Sequence, residues 1–147
     1  MNKGTIYFFS EEVKFTLPDK RKTKGWIKEI ILRENKELGN LNFIFCNDSY
    51  LNEINIKYLK HDTLTDIITF DLSENPNQIS GDIFISIERV KDNSKIFKSS
   101  ISSELNRVIS HGILHLIGYN DKTTKDALII RQKEDYYLSL LPNFISE

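Results

Sequence analysis

The stretch from His111 to Asp121 constrains the fold more than any other part of the sequence. His111 and His115 are four residues apart, and residues at this spacing lie one above the other on the same face of a helix. The two imidazoles can therefore point at a single ion. Gly118 follows three residues later, where a helix can end in a left-handed conformation that glycine adopts easily. The pattern predicts a helix, a turn that returns Asp121 toward the histidines, and a three-ligand metal site whose fourth position is open to water.

The spacing is similar to that of the metzincin motif, H-E-x-x-H-x-x-G-x-x-H, with two changes. Asp121 stands where metzincins have a third histidine, and a zinc site accepts a carboxylate there. Gly112 stands where these proteases have their general-base glutamate. A histidine pair at this spacing also arises by chance, but two of the three histidines in the chain lie in this motif. The motif therefore favours a metal site that catalyses hydrolysis, in an enzyme that is not a metzincin protease.

The composition is typical of a soluble globular protein in a reducing compartment. The chain has 147 residues, 39% hydrophobic and 28% charged, and these values predict one domain over residues 1–147. Cys46 is the single cysteine, so no intramolecular disulfide can form and we expect a cytoplasmic protein. No apolar run approaches the roughly 20 residues that span a bilayer. The net charge of −1 neither indicates nor excludes a nucleic-acid partner.

Hydrophobic periodicity predicts an α/β (α+β) fold with a single mixed β-sheet. Strands are predicted at residues 5–10, 41–46, 67–70 and 81–87. Helices are predicted at residues 18–38, 50–59, 88–97, 102–117 and 124–141. We thus expect about four strands and about five helices, with the metal site on the fourth helix and the loop after it.

Three details of the helices can be tested against the structure. The site helix is expected to be capped by Ser102 or Ser103. The residues expected to form its buried stripe are Leu105, Val108, Ile109, Ile113 and Leu116, which places the histidines at the edge of the core. In two other helices, the residues expected to be buried are Leu51, Ile54 and Tyr58 in the second, and Leu128, Tyr136 and Leu140 in the last.

Three blocks of the sequence resemble the YbeY family of bacterial endoribonucleases and rRNA maturation factors. The first is LN at 51–52 leading to TDIITF at 65–70, similar to the family pattern LN…TDVLSF. The second is GDIFIS at 81–86, similar to GDI-x-IS. The third is 104–121 with HGILHLIGYND, similar to E-L-…-HG-x-LHL-x-GYDH. Together the blocks cover about half of the chain in the family's order.

The resemblance implies a zinc-dependent, single-strand-specific endoribonuclease that acts in 16S rRNA 3′-end maturation, rRNA processing and ribosome quality control. Its partners would be single-stranded or ribosomal RNA and the small ribosomal subunit, with no membrane. One Zn²⁺ ion would be held by His111 and His115, which match the family's histidine ligands, and by Asp121, which stands at the place of the family's third histidine. These three residues would act in catalysis through the metal. The added carboxylate should make a metal-bound water less acidic.

A second departure concerns the group that contacts the phosphate. Many family members have an arginine shortly before the D-x-x-TD block, and Leu59 takes its place here. Lys60 and His61 are the nearby candidates for the phosphate contact, although a lysine lacks the bidentate fork of arginine. The general base is not identified by the motif; Asp66 and Glu104 are polar candidates. The nucleophile could be either water or the RNA 2′-hydroxyl.

Two alternative functions are compatible with the sequence. One is a ribosome-assembly binding factor whose metal is structural, which the missing arginine and the near-neutral charge favour. The other is a metallohydrolase that acts on peptides or small molecules, against which the glycine at position 112 argues.

Overall fold

The computed structural model describes residues 4–59 and 65–143. In these ranges the chain forms four strands: β1 (Thr5–Ser10), β2 (Glu37–Cys46), β3 (Ile67–Asp71) and β4 (Gln78–Ser86). It forms five α-helices: α1 (Lys20–Arg33), α2 (Asp48–Ile54), α3 (Ile87–Ile96), α4 (Ile101–Ile117) and α5 (Thr124–Leu140). A π-helical turn, Asn55–Leu59, follows α2, and a 3₁₀ turn, Leu141–Asn143, follows α5. The described ranges confirm the α+β prediction, and none of their helices has the length and apolarity needed to cross a membrane.

The strands form one mixed sheet in the order β1-β2-β4-β3. β1, β2 and β4 are parallel, and β3 pairs with β4 in the antiparallel direction. Helices α1 and α4 pack against the sheet, which explains why the two central strands are apolar on the covered face. The core is made by fully buried residues of these strands and helices: Phe43, Phe45, Ile83, Ile85, Trp26, Ile30, Ile109 and Ile113. This core fixes α4, the helix that carries the histidines.

At Gly112, helix α4 lies close against the sheet. A Cβ atom on Gly112 would lie 2.8 Å from Cδ1 of Ile67 and 3.1 Å from Cγ2 of Ile83. These distances are shorter than ordinary carbon–carbon contacts. A side chain here would point into the sheet and not toward the histidines. The close packing of α4 on β3 and β4 therefore explains why a metzincin-like glutamate does not fit at this position.

The N-terminus of α4 lies slightly earlier than predicted, whereas its buried face is as predicted. The Ser100 hydroxyl accepts a hydrogen bond from the Ser103 N–H at 3.0 Å, so Ser100 is the cap and the prediction of Ser102 or Ser103 is wrong. Each serine offers an equivalent hydroxyl, and only the path of the chain from α3 selects one. The five residues of the predicted stripe, from Leu105 to Leu116, are all buried.

Helix α1 ends five residues before the predicted boundary. Arg33 is its last residue, and Asn35 takes a left-handed conformation with φ 61°, which asparagine tolerates better than most residues. The chain then enters β2, where Glu37 pairs with Gln78 of β4. The predicted helix over residues 18–38 is therefore too long at its C-terminus, and Gly39 lies inside β2, where a Cβ would meet the hydroxyl of Ser80.

Two predicted buried faces differ from the structure. Tyr58 is exposed and Asn55 is buried, because the π-helical turn after α2 adds a residue per turn and rotates the chain. On α5, Leu128 and Tyr136 are exposed, and only Leu140 of the predicted set packs against the core. The buried face of α5 is instead formed by Ile130, Glu134 and Tyr137.

Candidate metal centre

Helix α4 and the loop after it bring the three predicted ligands together. The Nε2 atoms of His111 and His115 are 2.9 Å apart. Gly118 ends the helix with φ 128°, a value that favours glycine, and the loop returns the chain toward the histidines. Oδ2 of Asp121 lies 3.5 Å from Nε2 of His111 and 3.7 Å from Nε2 of His115. The short motif and its terminating glycine thus produce a compact group of two nitrogens and one oxygen.

This group has the chemistry of a metal-binding site. Its three ligand atoms all lie within 4.8 Å of one another, so one ion could contact all of them. Two imidazoles and a carboxylate suit Zn²⁺ and other transition metals. The side chains of His111, His115 and Asp121 are 23%, 26% and 47% exposed, which places the group at the edge of the core as predicted. An ion held there would be reachable from solvent.

A buried carboxylate on α5 orients the first histidine. Oε2 of Glu134 lies 2.5 Å from Nδ1 of His111, and the Glu134 side chain is only 4% exposed. Because a carboxylate can only accept a hydrogen bond, Nδ1 of His111 carries the hydrogen and Nε2 presents its lone pair to the site. A carboxylate behind a ligating histidine is a common support of zinc sites.

Arg107 completes this support. Its Nη1 donates to Oε1 of Glu134 at 2.9 Å, and its Nη2 donates to Oδ1 of Asp135 at 2.7 Å. The guanidinium neutralises the buried Glu134 charge, which would otherwise carry a large desolvation cost. Arg107, Glu134 and His111 therefore form a continuous chain of charge-assisted hydrogen bonds that ends at the candidate metal position.

The two histidines titrate differently. Burial lowers the pKa of His111, but the hydrogen bond and charge of Glu134 outweigh it, so the pKa lies above the ordinary value. Burial and the neighbouring His111 hold the pKa of His115 below the ordinary value. A proton therefore competes with a metal ion mainly at His111.

Sequence reasoning did not identify Glu134 or Arg107. Glu134 lies at helical spacing from Ile130 and Tyr137, and a carboxylate within such an apolar stripe is a signal of a paired buried charge. Its partners lie on α4, more than 20 residues earlier in the sequence. The stripe therefore indicates that Glu134 has a buried partner but not which residue that partner is.

A cavity of about 680 Å³ opens beside the ligand group, between α4 and α5. It is bordered by His111 and Asp121 and also by Asp66 and Glu104, the polar candidates from the sequence. Burial raises the pKa of Asp66, and burial together with the charge of Asp66 raises the pKa of Glu104. Neither carboxylate belongs to the three-ligand group. Both lie where they could exchange a proton with a substrate in the cavity.

The phosphate-contacting group is predicted near position 59, at the edge of the described residues. Leu59 borders a second cavity, which also contains His115, and offers no charge to it. Lys60 and His61 lie outside the described residues, so their role stays a prediction. Within the described ranges, the large cavity is bordered by two arginines, Arg107 and Arg131. Arg107 is held by Glu134 and Asp135, whereas Arg131 is exposed and makes no ion pair with a described residue.

Comparison with known proteins gives one consistent result. A family model described as Endoribonuclease YbeY matches residues 8–142. A relative of that name from Amoebophilus asiaticus is 48% identical over 138 residues, which span 94% of each chain. Another from Cytophaga hutchinsonii is 49% identical over 140 residues, which span 95% of this chain and 98% of the relative. A Thermotoga maritima protein solved in solution is 26% identical, with a TM-score of 0.69, and the match covers 93% of this chain and 89% of that one.

Proposed function

Because the chain belongs to the YbeY family, whose members are endoribonucleases that act on RNA phosphodiester bonds, we propose that it is a zinc-dependent nuclease specific for single-stranded RNA. Its proposed roles are 16S rRNA 3′-end maturation, rRNA processing and ribosome quality control. The proposed partner is the small ribosomal subunit, and the proposed compartment is the cytoplasm, where that subunit would be matured.

The observation that carries this proposal is the group of His111, His115 and Asp121 at the rim of the large cavity. Three protein ligands leave a coordination position open, which is the arrangement of catalytic and not of structural zinc sites. When bound, Zn²⁺ supplies Lewis-acid chemistry toward a phosphoryl oxygen. The binding-factor alternative, with a structural metal, would instead be expected to show four protein ligands and no adjoining cavity.

The residues near the metal centre have separate proposed roles, in orienting the metal ligands and in holding RNA. Glu134 keeps the proton on Nδ1 of His111 and so orients the ligand group. Arg131 borders the cavity and makes no ion pair with a described residue, so its guanidinium can contact a phosphate in two places at once. Lys60 and His61 are the proposed additional contacts at the position of the family arginine. A cleft of this size between two helices accepts an unpaired strand, whose backbone can bend, more easily than a duplex.

Asp66 and Glu104 are the proposed proton-transfer groups. Their raised pKa values bring them closer to neutral pH, where a carboxyl group both gives and takes a proton effectively. The products distinguish the two possible nucleophiles. Attack by the RNA 2′-hydroxyl leaves a 2′,3′-cyclic phosphate, whereas attack by water leaves a linear phosphate.

The test is cleavage of end-labelled RNA by zinc-loaded wild type and by His115→Ala purified in parallel, with the same sequence offered as a single strand and as a duplex. We expect cleavage of the single strand by wild type and its loss in the variant. Equal cleavage by both proteins would point to a contaminating nuclease. Equal cleavage of both substrates would contradict the strand preference.

The small-subunit partner needs its own test, because a nuclease can act on free RNA. Co-sedimentation of the protein with small ribosomal subunits, compared with large subunits at the same concentration, is expected to show selective association. Equal association with both subunits would contradict the proposed partner without contradicting the nuclease.

A further inference from the structure

We propose that Glu34, which lies outside the metal centre, is a positioning residue for it. Its carboxylate joins the loop that carries Asp121 to the helix that carries Glu134. The inference rests on the proposed metal-binding role of His111, His115 and Asp121.

Glu34 directly follows α1, and its side chain is only 7% exposed. Oε1 accepts a hydrogen bond from the Tyr119 hydroxyl at 2.7 Å. Oε2 accepts one from Lys133 Nζ at 3.1 Å and one from the Tyr137 hydroxyl. One buried carboxylate thus receives three hydrogen bonds from two other parts of the fold. A buried charge is tolerated when it is paired in this way.

The first connection controls the third metal ligand. Tyr119 follows Gly118, which ends α4, and precedes Asp121 by two residues. The loop bends sharply here, and half of the Asp121 side chain is exposed. Apolar packing alone therefore holds the Asp121 carboxylate less firmly than it holds the histidines. The hydrogen bond from Tyr119 to Glu34 ties this loop to the residue that follows α1.

The second connection controls the support of the first metal ligand. Lys133 directly precedes Glu134 on α5, and Tyr137 follows it by almost one turn. The backbone carbonyl of Tyr137 also accepts a hydrogen bond from Trp26 Nε1 at 2.7 Å, so α5 is fixed to α1 at this point. Holding α5 in this rotation keeps Glu134 directed toward Nδ1 of His111. A single residue therefore orients both the loop ligand and the carboxylate behind a histidine ligand.

The test measures Zn²⁺ affinity by competition with a chromophoric chelator, a readout that does not depend on RNA cleavage. The variants are Tyr119→Phe, which removes only the hydroxyl bound to Glu34, and Glu34→Gln. The matched control is Tyr136→Phe, which removes a hydroxyl that accepts a hydrogen bond from Arg33 at 2.6 Å, on the exposed side of α5. We expect Tyr119→Phe and Glu34→Gln to weaken zinc binding about 10-fold, at the lower end of the range for residues behind metal ligands. We expect the control to bind like wild type.

A double-mutant cycle separates positioning from general destabilisation. If Tyr119 acts through the loop, Tyr119→Phe should have little further effect on zinc binding in an Asp121→Ala background. The absorption spectrum of the Co²⁺-loaded protein should also change in Tyr119→Phe and not in Tyr136→Phe.

Three results would overturn the inference. The first is wild-type zinc affinity in Tyr119→Phe, and the second is an effect of Tyr119→Phe that is equally large without Asp121. In either case the proposed function would stand. The third is a wild-type protein that binds no zinc, which would overturn the proposed function as well. If Glu34→Gln does not fold, Tyr119→Phe carries the test alone.

Discussion

The two sides of the metal centre are held by different forces. His111 and His115 lie on α4, which packs on the sheet so closely that position 112 has no room for a side chain. Asp121, whose side chain is about half exposed, lies on a loop that a hydrogen bond from Tyr119 to Glu34 ties to the rest of the fold. Apolar packing depends little on pH and is not screened by dilute salt, whereas a charged hydrogen-bond network responds to both. The histidine side should therefore keep its geometry until the core unfolds, and the aspartate side should lose its geometry first.

The largest expected effect comes from a change on the histidine side. Gly112→Glu would place the metzincin glutamate against Ile67 and Ile83. We expect a loss of about 3–5 kcal/mol in the free energy of unfolding, because the substitution both overpacks the core and buries an unpaired charge. Urea denaturation measures it, with Ser102→Glu, an exposed position of the same helix, as the control. A stable variant would show that α4 can move away from the sheet.

A smaller effect is expected from the polar network of the aspartate side. Burial raises the pKa of Glu34, but the hydrogen bonds from Tyr137, Tyr119 and Lys133 together lower it below the ordinary value. The carboxylate therefore stabilises the fold above the pKa of an unfolded glutamate, and this contribution is lost as the pH falls through the folded value. We expect Glu34→Gln to lose about 1.5–3 kcal/mol at pH 7, the range for hydrogen bonds to a charged group.

The pH dependence of the free energy of unfolding tests the contribution of the Glu34 charge most directly. Denaturation of wild type and Glu34→Gln at several pH values should show a difference that is full at neutral pH and shrinks in acid. A difference that stays constant down to pH 3 would show that the carboxylate charge does not contribute.

The next effect tests the link between the two sides. Glu134→Gln removes the charge behind His111 and replaces the buried charged partner of Arg107 with a neutral amide. We expect zinc affinity to fall about 10- to 100-fold. Asp135→Asn is the matched control, since Asp135 bonds the same guanidinium but is mostly exposed. If both variants weaken zinc binding equally, the effect comes from Arg107 and not from the orientation of His111.

The smallest effect is expected at the substrate cavity. Arg131→Ala should weaken binding of single-stranded RNA by a similar factor for every sequence, and it should reduce the slope of log affinity against log salt by about 1, as the loss of one phosphate contact does. Lys125→Ala, on the exposed surface of the same helix, is the control. An unchanged salt slope in Arg131→Ala would show that another residue makes the phosphate contact, with Lys60 and His61 as the next candidates.

The histidine side could be predicted from sequence, because local rules decide it. The spacing of His111 and His115, the apolar stripe and the glycine that ends α4 are all encoded within about 20 residues, and the structure brings the expected residues together. The third ligand also follows from a local rule, the offset of Asp121 from Gly118.

The supporting network could not be predicted, because its partners are far apart in sequence. Glu34 meets Tyr119 across 85 residues and Tyr137 across 103, and no periodicity records such contacts. The expected helix over residues 18–38 even assigned Glu34 to a helix interior, whereas the left-handed Asn35 ends that helix and leaves the carboxylate facing α5. The same limit explains the missed role of Glu134, whose burial depends on how α5 packs against α4.

A zinc titration of the metal-free protein tests most directly whether the two sides meet at a catalytic ion. Bound zinc and cleavage of single-stranded RNA are measured in the same samples, for wild type and for Asp121→Ala. We expect wild-type cleavage to rise with occupancy and to stop rising at one ion per chain, and we expect Asp121→Ala to need a higher zinc concentration at every level of cleavage. Full cleavage before any zinc is bound, or identical curves for the two proteins, would contradict a catalytic metal held by His111, His115 and Asp121.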